Sequence, residues 1–395
     1  MFSSFFMKSL NKVLDEIKLS EIVEIRNKLM ASPNSLRLES GEPDFPVHDN
    51  IKIAMIRALM KEYTKYTHSS GIPELRQEVY NKCVNENRIS LDSKENVIIT
   101  DGGVGSMSYS LHAIINAGEK EEVITHNPTW TPTIQMIRQS GAIPVLAPLD
   151  SERGFALDPG EIEDRITRKT KAIILNSPHN PTGSVFSKGD LEEVVEIADK
   201  NGLYLLSDEA YEHITYDVEH ISPGSLSNYE NIISLFTFSK SFNMTGLRLG
   251  YIATKNQEVM TNLRKVVLYH CNGINSATQH GGVAALRDAE VKKDFDHIVA
   301  EYRKRRDILV EGINSSKHFE CQSPEGAFYL FPKIKETELS DIEVARKLLD
   351  SNPPLGSIQG SAFGSCGGGY IRLAYSTATK DVEMAAEILS RLRLD

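Results

Sequence analysis

Residues 231–252 read Asn231-Ile-Ile-Ser-Leu-Phe-Thr-Phe-Ser-Lys-Ser-Phe-Asn-Met-Thr-Gly-Leu-Arg-Leu-Gly-Tyr-Ile252. The run from Ile232 to Phe238 is strongly apolar, with β-branched and aromatic residues, and predicts a buried strand. Ser239-Lys240 closes it, and Gly246, Arg248 and Gly250 follow. A lysine at the mouth of a buried strand is partly desolvated, which favours the neutral amine. A neutral amine is a nucleophile toward aldehydes and can form a Schiff base with them. Most lysines are simply exposed, so Lys240 acquires meaning only from its surroundings.

On either side of this stretch the chain alternates. Short apolar runs recur at 97–100, 123–125, 144–146, 172–175, 203–207, 232–236 and 250–254. Helical patterns at 106–117, 130–141 and 190–201 separate several of them. Strand alternating with helix predicts an α/β fold, with a seven-stranded, mostly parallel sheet covered on both faces. Before the sheet, apolar spacing at Val13, Ile17, Ile22, Ile25 and Leu29 predicts a helix over 8–30, and 51–63 reads as another. Pro73 falls in the first turn of a further helix, where its missing N–H is harmless. Beyond about residue 290 the pattern becomes α+β: a long charged helix over 294–313, strand-like pieces at 327–331 and 370–374, and a last helix over 380–394. Gly367-Gly368-Gly369 reads as a turn.

The chain has 395 residues, 25% of them charged, and a net charge of −10, so nothing in its bulk electrostatics supports a nucleic-acid partner. Cys83, Cys271, Cys321 and Cys366 show no paired spacing, which argues against a zinc site or a disulfide framework and fits a reducing cytoplasm. No apolar run is long enough to span a membrane. The opening MFSSFFMKSL lacks a basic n-region and a long apolar h-region, so it is not read as a signal peptide; Met7 is an alternative start.

In open α/β sheets, functional groups collect at the carboxyl ends of strands. Gly102, Gly103, Val104 and Gly105 follow one such end and open a helix, which makes either a phosphate cradle or an ordinary tight turn. Asn176 and Asn180 lie in Asn-Ser-Pro-His-Asn-Pro-Thr-Gly, otherwise plain turn chemistry. Asp208 and Tyr211 follow another strand; an acid there is either a helix cap or the partner of a buried cation. Arg372, in Tyr370-Ile-Arg-Leu-Ala-Tyr375, shares a strand face with Tyr370 and Ala374, and the bland alternative is a sheet-edge arginine paired with a carboxylate. Trp130, the single tryptophan, is otherwise a core aromatic. Together these are an amine, an acid, a phosphate cradle with an arginine, and a flat aromatic, which is what pyridoxal 5'-phosphate needs.

Several blocks carry a family resemblance. They are Gly41-Glu-Pro-Asp-Phe-Pro46, Lys65-Tyr66 with Gly71-Ile-Pro-Glu-Leu-Arg76, Asn176 to Gly183, Asp208-Glu-Ala-Tyr211, and Phe238 to Tyr251. In this order the chain resembles the class I/II aminotransferases of pyridoxal-phosphate fold type I, along nearly its whole length. The resemblance implies a transaminase working by ping-pong kinetics. It implies a large domain over 48–290 and a small domain from 1–47 and 291–395. Lys240 would bond the cofactor aldehyde and shuttle the proton. Asp208 would hold the pyridine N–H, while Asn180 and Tyr211 would bond the ring oxygen. Trp130 would stack on the ring. Arg248, Ser239 and the Gly103-Val104 backbone would hold the phosphate, and Tyr66 would reach the phosphate of the neighbouring subunit in a homodimer. Arg372 would clamp the substrate α-carboxylate as a bidentate fork, with the Gly41 backbone nearby. No metal is implied.

The chain departs from the pattern at Val104, where a polar residue is usual, at Thr129, where tyrosine is common, and at Ala117-Gly-Glu-Lys-Glu-Glu122. The same residues would serve a lyase, such as a carbon–sulfur β-lyase, and related domains also act as ligand sensors. The expected amino donor is neutral, hydrophobic or aromatic. The segment Cys271-Asn-Gly-Ile-Asn-Ser-Ala-Thr278, where aspartate-specific relatives carry an arginine, has no cation and is flanked only by His270 and His280. Phe45, Tyr66, Trp130 and Phe328 are the aromatic linings expected of the pocket.

Overall fold

The computed structural model describes residues 14, 27–32 and 34–394. Most of the helix expected over 8–30 lies outside these residues, Val13, Ile17, Ile22 and Ile25 included; residues 27–30 are helical and Leu29 is buried.

The sheet is built from β1 (Val97–Thr100), β2 (Glu122–Asn127), β3 (Ile143–Pro148), β4 (Thr170–Asn176), β5 (Tyr204–Asp208), β6 (Ile232–Thr237) and β7 (Gly250–Ala253). Their order is β1-β7-β6-β5-β4-β2-β3. All neighbours run parallel except β7, which is antiparallel to both β1 and β6. Because side chains alternate across a strand, both faces must be apolar for a sheet covered twice. Ala172, Ile174, Leu206 and Ile233 pack against helices Gly103–Ile114 and Gln257–Cys271. Ile173, Leu175, Leu205 and Ile232 face helix Lys188–Asn201 instead. Further along that second face, Phe236 and Tyr251 meet helix Pro73–Asn85 through Leu75 and Val79. Pro73 opens that helix at its first turn.

A separate core joins Leu36 and Leu38 to the long helix Ala289–Asn314, the C-terminal helix Thr379–Arg391 and the short strands of the last hundred residues. These strands are β8 (Phe319–Glu320), β9 (Tyr329–Leu330), β10 (Lys333–Ile334), β11 (Ile358–Gln359) and β12 (Ile371–Ala374). β12 is the middle strand of the small sheet β11-β12-β9. Loop 39–46 passes between this core and the carboxyl ends of β4, β5 and β6, so residues from both sides meet in one cleft. No helix among the described residues is long and apolar enough to cross a membrane.

Candidate active site

The cleft encloses about 450 Å³ and is lined by, among others, Gly41, Gly103, Val104, Trp130, Asn180, Asp208, Tyr211, Ser239, Lys240, Arg248 and Arg372. Eleven of the twelve residues to which the resemblance gives site roles are therefore together. Tyr66 is not. It is 87% exposed and lines a different depression, with residues 272–277.

Lys240 does not end the strand directly. Thr237 closes β6, and its Oγ1 accepts the Ser239 N–H at 3.1 Å, capping a single helical turn, Phe238–Ser241. This turn aims the Lys240 amine inward, where it donates to the Gly41 carbonyl at 2.8 Å. Burial, reinforced by the Arg372 guanidinium, pulls the amine down to about 8. A substantial fraction is thus neutral near physiological pH, which a nucleophilic lysine requires.

Asp208 ends β5. Its Oδ1 accepts the Ala210 N–H at 3.2 Å, but a turn and not a helix follows, so it is no helix cap. Burial pushes its carboxyl up to about 7. The strand end thus holds an acid with no strong cationic partner, a place a protonated ring nitrogen would complete. Tyr211 Oη lies 2.8 Å from Tyr329 Oη. Asn176, at the end of β4, joins its neighbours: its Nδ2 donates to the Asp208 carbonyl at 3.1 Å, and its Oδ1 accepts the Asn180 N–H at 3.0 Å.

Arg372 is buried in β12. Its Nη1 donates to Asn180 Oδ1 at 3.1 Å and its Nη2 to the Glu39 carbonyl at 2.7 Å. Tyr329 and Phe363 flank the guanidinium at 4.7 and 4.9 Å. The sheet-edge alternative fails on two counts: the strand is central, and the hydrogen-bond partners are an amide and a backbone carbonyl. Nε is buried without a hydrogen-bond partner. A cation so placed is ready for a carboxylate.

At the opposite side, Gly102 has φ +104°, and a Cβ there would meet Arg248 Nη2 at 2.6 Å. Glycine therefore lets the guanidinium lie against the start of helix Gly103–Ile114. Arg248 also donates from Nη1 to the Thr245 carbonyl at 2.7 Å. Helix N–H groups, an arginine and the Ser239 hydroxyl together could hold an anion such as a phosphate. Trp130 precedes helix Thr131–Gln139, packs partly on the sheet core and lines the cleft.

Other expected linings fall elsewhere. Phe45 packs edge-on against Tyr302 at 5.5 Å and under Arg305 at 4.6 Å, whereas Phe328, fully buried, stands behind the cleft wall with its ring centre 5.7 Å from Lys240 Nζ and 5.3 Å from the Tyr211 ring. Both are aromatic because they fill the second core. Tyr329, Glu39, Ser40, Glu42, Thr237 and Thr245 line the cleft and were not singled out. Tyr329 shares a face with Arg372 through the pairing of β9 with β12, a long-range relation that the two residues of β9 do not show by themselves.

Residues 33–390 match the family model described as aminotransferase class I and II. The chain is 34% identical over 381 residues to a probable aspartate aminotransferase of Methanocaldococcus jannaschii, covering 95% of this chain and 97% of the relative. It is also 34% identical over 386 residues to aromatic-amino-acid aminotransferase 2 of Thermococcus litoralis, covering 97% and 98%. Among solved structures, aspartate aminotransferase from Thermus thermophilus with maleate superposes with a TM-score of 0.91 at 32% identity, covering 98% of this chain and all of that one.

Proposed function

The chain belongs to the class I and II aminotransferase family and is a transaminase, and from that premise we propose how its cleft carries out the transfer. Its substrates are amino acids and 2-oxo acids, and the family implies pyridoxal 5'-phosphate as cofactor. The residues present fit that group: the acid of Asp208 lacks a strong cationic partner and Arg248 lies against a helix start, while the orphaned Nε of Arg372 suits the substrate carboxylate. When bound, the cofactor supplies the aldehyde that takes up the amino group and the ring that accepts the electron pair of the broken α-bond.

In this reading Arg248, Ser239 and the Gly103-Val104 N–H groups hold the phosphate, and Trp130 covers the ring. Asp208 keeps a proton on the ring nitrogen, while Asn180 and Tyr211 bond the ring oxygen. Arg372 grips the α-carboxylate of the amino acid beside the Gly41 backbone, which orients the α-hydrogen toward Lys240. Nζ of Lys240 removes that proton as a general base and, once protonated, would hand it on as a general acid to the carbon that brought the aldehyde. The convergence of Lys240, Asp208 and Arg372 on one cleft, with the amine buried, is the observation that carries the reading. The two half-reactions share one site, hence ping-pong kinetics.

The relatives are named as aminotransferases, which does not favour a carbon–sulfur lyase. We propose a neutral donor. The cations lining the cleft among the described residues are Lys240, Arg248 and Arg372, each already given a task, and the carboxylate of Glu42 stands at the mouth. Aromatic character rests on Trp130 and Tyr329 alone, and names among the relatives include both aspartate and aromatic donors. Division into 48–290 and a unit from both termini, a cytoplasmic setting and a homodimer in which Tyr66 serves the neighbouring site belong to the same proposal. The core joining Leu36 and Leu38 to the last hundred residues supports the division.

The test is a panel of aspartate, phenylalanine, methionine and alanine with 2-oxoglutarate or pyruvate as acceptor, together with borohydride reduction and peptide mapping. Cofactor fixed to a lysine other than Lys240 sinks the site assignment. Aspartate leading by about a hundredfold, the reach of one well-placed charge, sinks the neutral donor.

A further inference from the structure

The turn 208–213 faces two surroundings. Asp208, Ala210 and Tyr211 line the cleft, whereas Glu209 and Glu212 do not. The Glu212 carboxylate is buried against the Lys82 ammonium, with side-chain exposures of 7% and 4%. It also accepts a hydrogen bond from Asn87 Nδ2 at 2.7 Å. Lys82 comes from helix Pro73–Asn85, which contributes nothing to the cleft, and its Nζ lies 4.4 Å from the centre of the Phe236 ring. The next residue of the turn, His213, shares a hydrogen bond with Ser241 Oγ at 3.1 Å and stands 3.7 Å from Glu86. Ser241 follows Lys240 in the same helical turn.

Tyr211 and Lys240 are thus each followed by a residue tied into one network outside the cleft. The network is costly to build, because two charges lose their water, and well-packed apolar residues are often as stable in such a place. Stability alone is a weak reason for it. We propose that Lys82 is a positioning residue for the transfer: through Glu212, His213 and Ser241 it holds the Tyr211 hydroxyl and the Lys240 amine at a fixed separation. The Lys240 Nζ lies 5.8 Å from the centre of the Tyr211 ring. Arg372 stands apart, since its partners Asn180 and Glu39 are not in the network. This inference rests on the reading of Lys240 and Tyr211 as groups that act on the cofactor and substrate.

The test compares Lys82→Met/Glu212→Met, which replaces the pair by packed apolar groups and leaves no orphaned charge, with Lys82→Met alone. The double variant of the holoenzyme should recover the thermal midpoint lost in the single one. Its kcat should still fall about tenfold or more, as misplacement of a reacting group does, with KM for the amino acid nearly unchanged. A second readout uses the full chain freed of cofactor: the pH profile of reductive methylation at Lys240, followed by mass spectrometry. A loosened turn admits water, so its midpoint should rise from about 8 toward the ordinary lysine value. Ser241→Ala cuts the network at the lysine end without touching the buried charges and should move both readouts the same way, so a double variant that does not fold leaves the idea testable. A refolded double variant, or Ser241→Ala, with unchanged kcat and an unchanged methylation profile overturns it. Borohydride mapping to another lysine would remove instead the reading it rests on.

Discussion

The amine of Lys240 and the carbonyl of Gly41 meet at 2.8 Å although 199 positions separate them. Two residues before Gly41, the Glu39 carbonyl accepts from Arg372. One short loop therefore touches both the group proposed to move the proton and the group proposed to hold the carboxylate. A Cβ on Gly41 would stand 1.9 Å from Tyr329 Oη, so the loop can approach only as glycine. Gly41→Ala should push Tyr329 aside and break its 2.8 Å contact with Tyr211. We expect kcat/KM to fall by about tenfold to a hundredfold, equivalent to ~1.4–2.7 kcal/mol, in steady-state assays.

Burial that lowers Lys240 to about 8 also opposes folding of the cofactor-free chain. Between about 8 and the ordinary lysine value the unfolded chain binds more protons, so this group's contribution to stability rises with pH across that window. Lys240→Met should therefore melt higher than the unsubstituted apoprotein at pH 7, by an amount on the order of 1–3 kcal/mol. The difference should vanish above about pH 10.5. Thermal melts at pH 7 and pH 10.5 check this; a variant less stable at pH 7 contradicts the desolvated amine.

Asp208, raised to about 7 in the cleft, should be only partly ionised at neutral pH until a cation lies before it. Asp208→Ala should slow exchange of the donor's α-proton with solvent by ~100-fold or more, while donor affinity changes far less. Deuterium wash-in followed by NMR measures the first and equilibrium titration the second. Equal exchange rates in variant and parent would leave Asp208 with only the Ala210 N–H to hold.

Tyr66 is 87% exposed, outside the cleft, beside the depression formed with residues 272–277. If it completes a neighbour's site, mixing Lys240→Ala chains with Tyr66→Phe chains yields hybrids with one doubly damaged site and one intact site. Activity should then exceed the mean of the two parent preparations. A fully active monomer by sedimentation rules the arrangement out.

How legible was this molecule from its residues? Apolar runs located every strand of the large sheet: β1 at the expected bounds and the others within a few residues, because continuous β-branched runs fit only a sheet buried on both faces. Lys240 was expected at a strand mouth and sits one helical turn further on, since Thr237 caps that turn with its side chain. Asp208, Asn180 and Arg248 stood out because they end or follow apolar strands, and Arg372 because it is a lone cation inside one. Tyr329 did not, because β9 is two residues long and carries too little periodicity. Phe45 was misplaced because an aromatic pattern does not tell a pocket wall from a core, and Phe328 stands one layer behind the wall, beside Lys240 and Tyr211. The Lys82–Glu212 pair spans 130 positions, and a lysine in an amphipathic helix reads as a solvated one.

The reversed direction of β7 has its own consequence. A parallel neighbour to β6 would need a crossover and would begin at the far edge of the sheet. An antiparallel one begins where β6 ends, so a single hairpin delivers both Lys240 and Arg248 to the same rim. Amine and guanidinium are thereby geared together. Lengthening or shortening the segment 238–249 displaces both at once, whereas the acid of Asp208, on a separate strand, stays put. Grafting this cleft onto another sheet would require transplanting the hairpin whole, not its individual side chains.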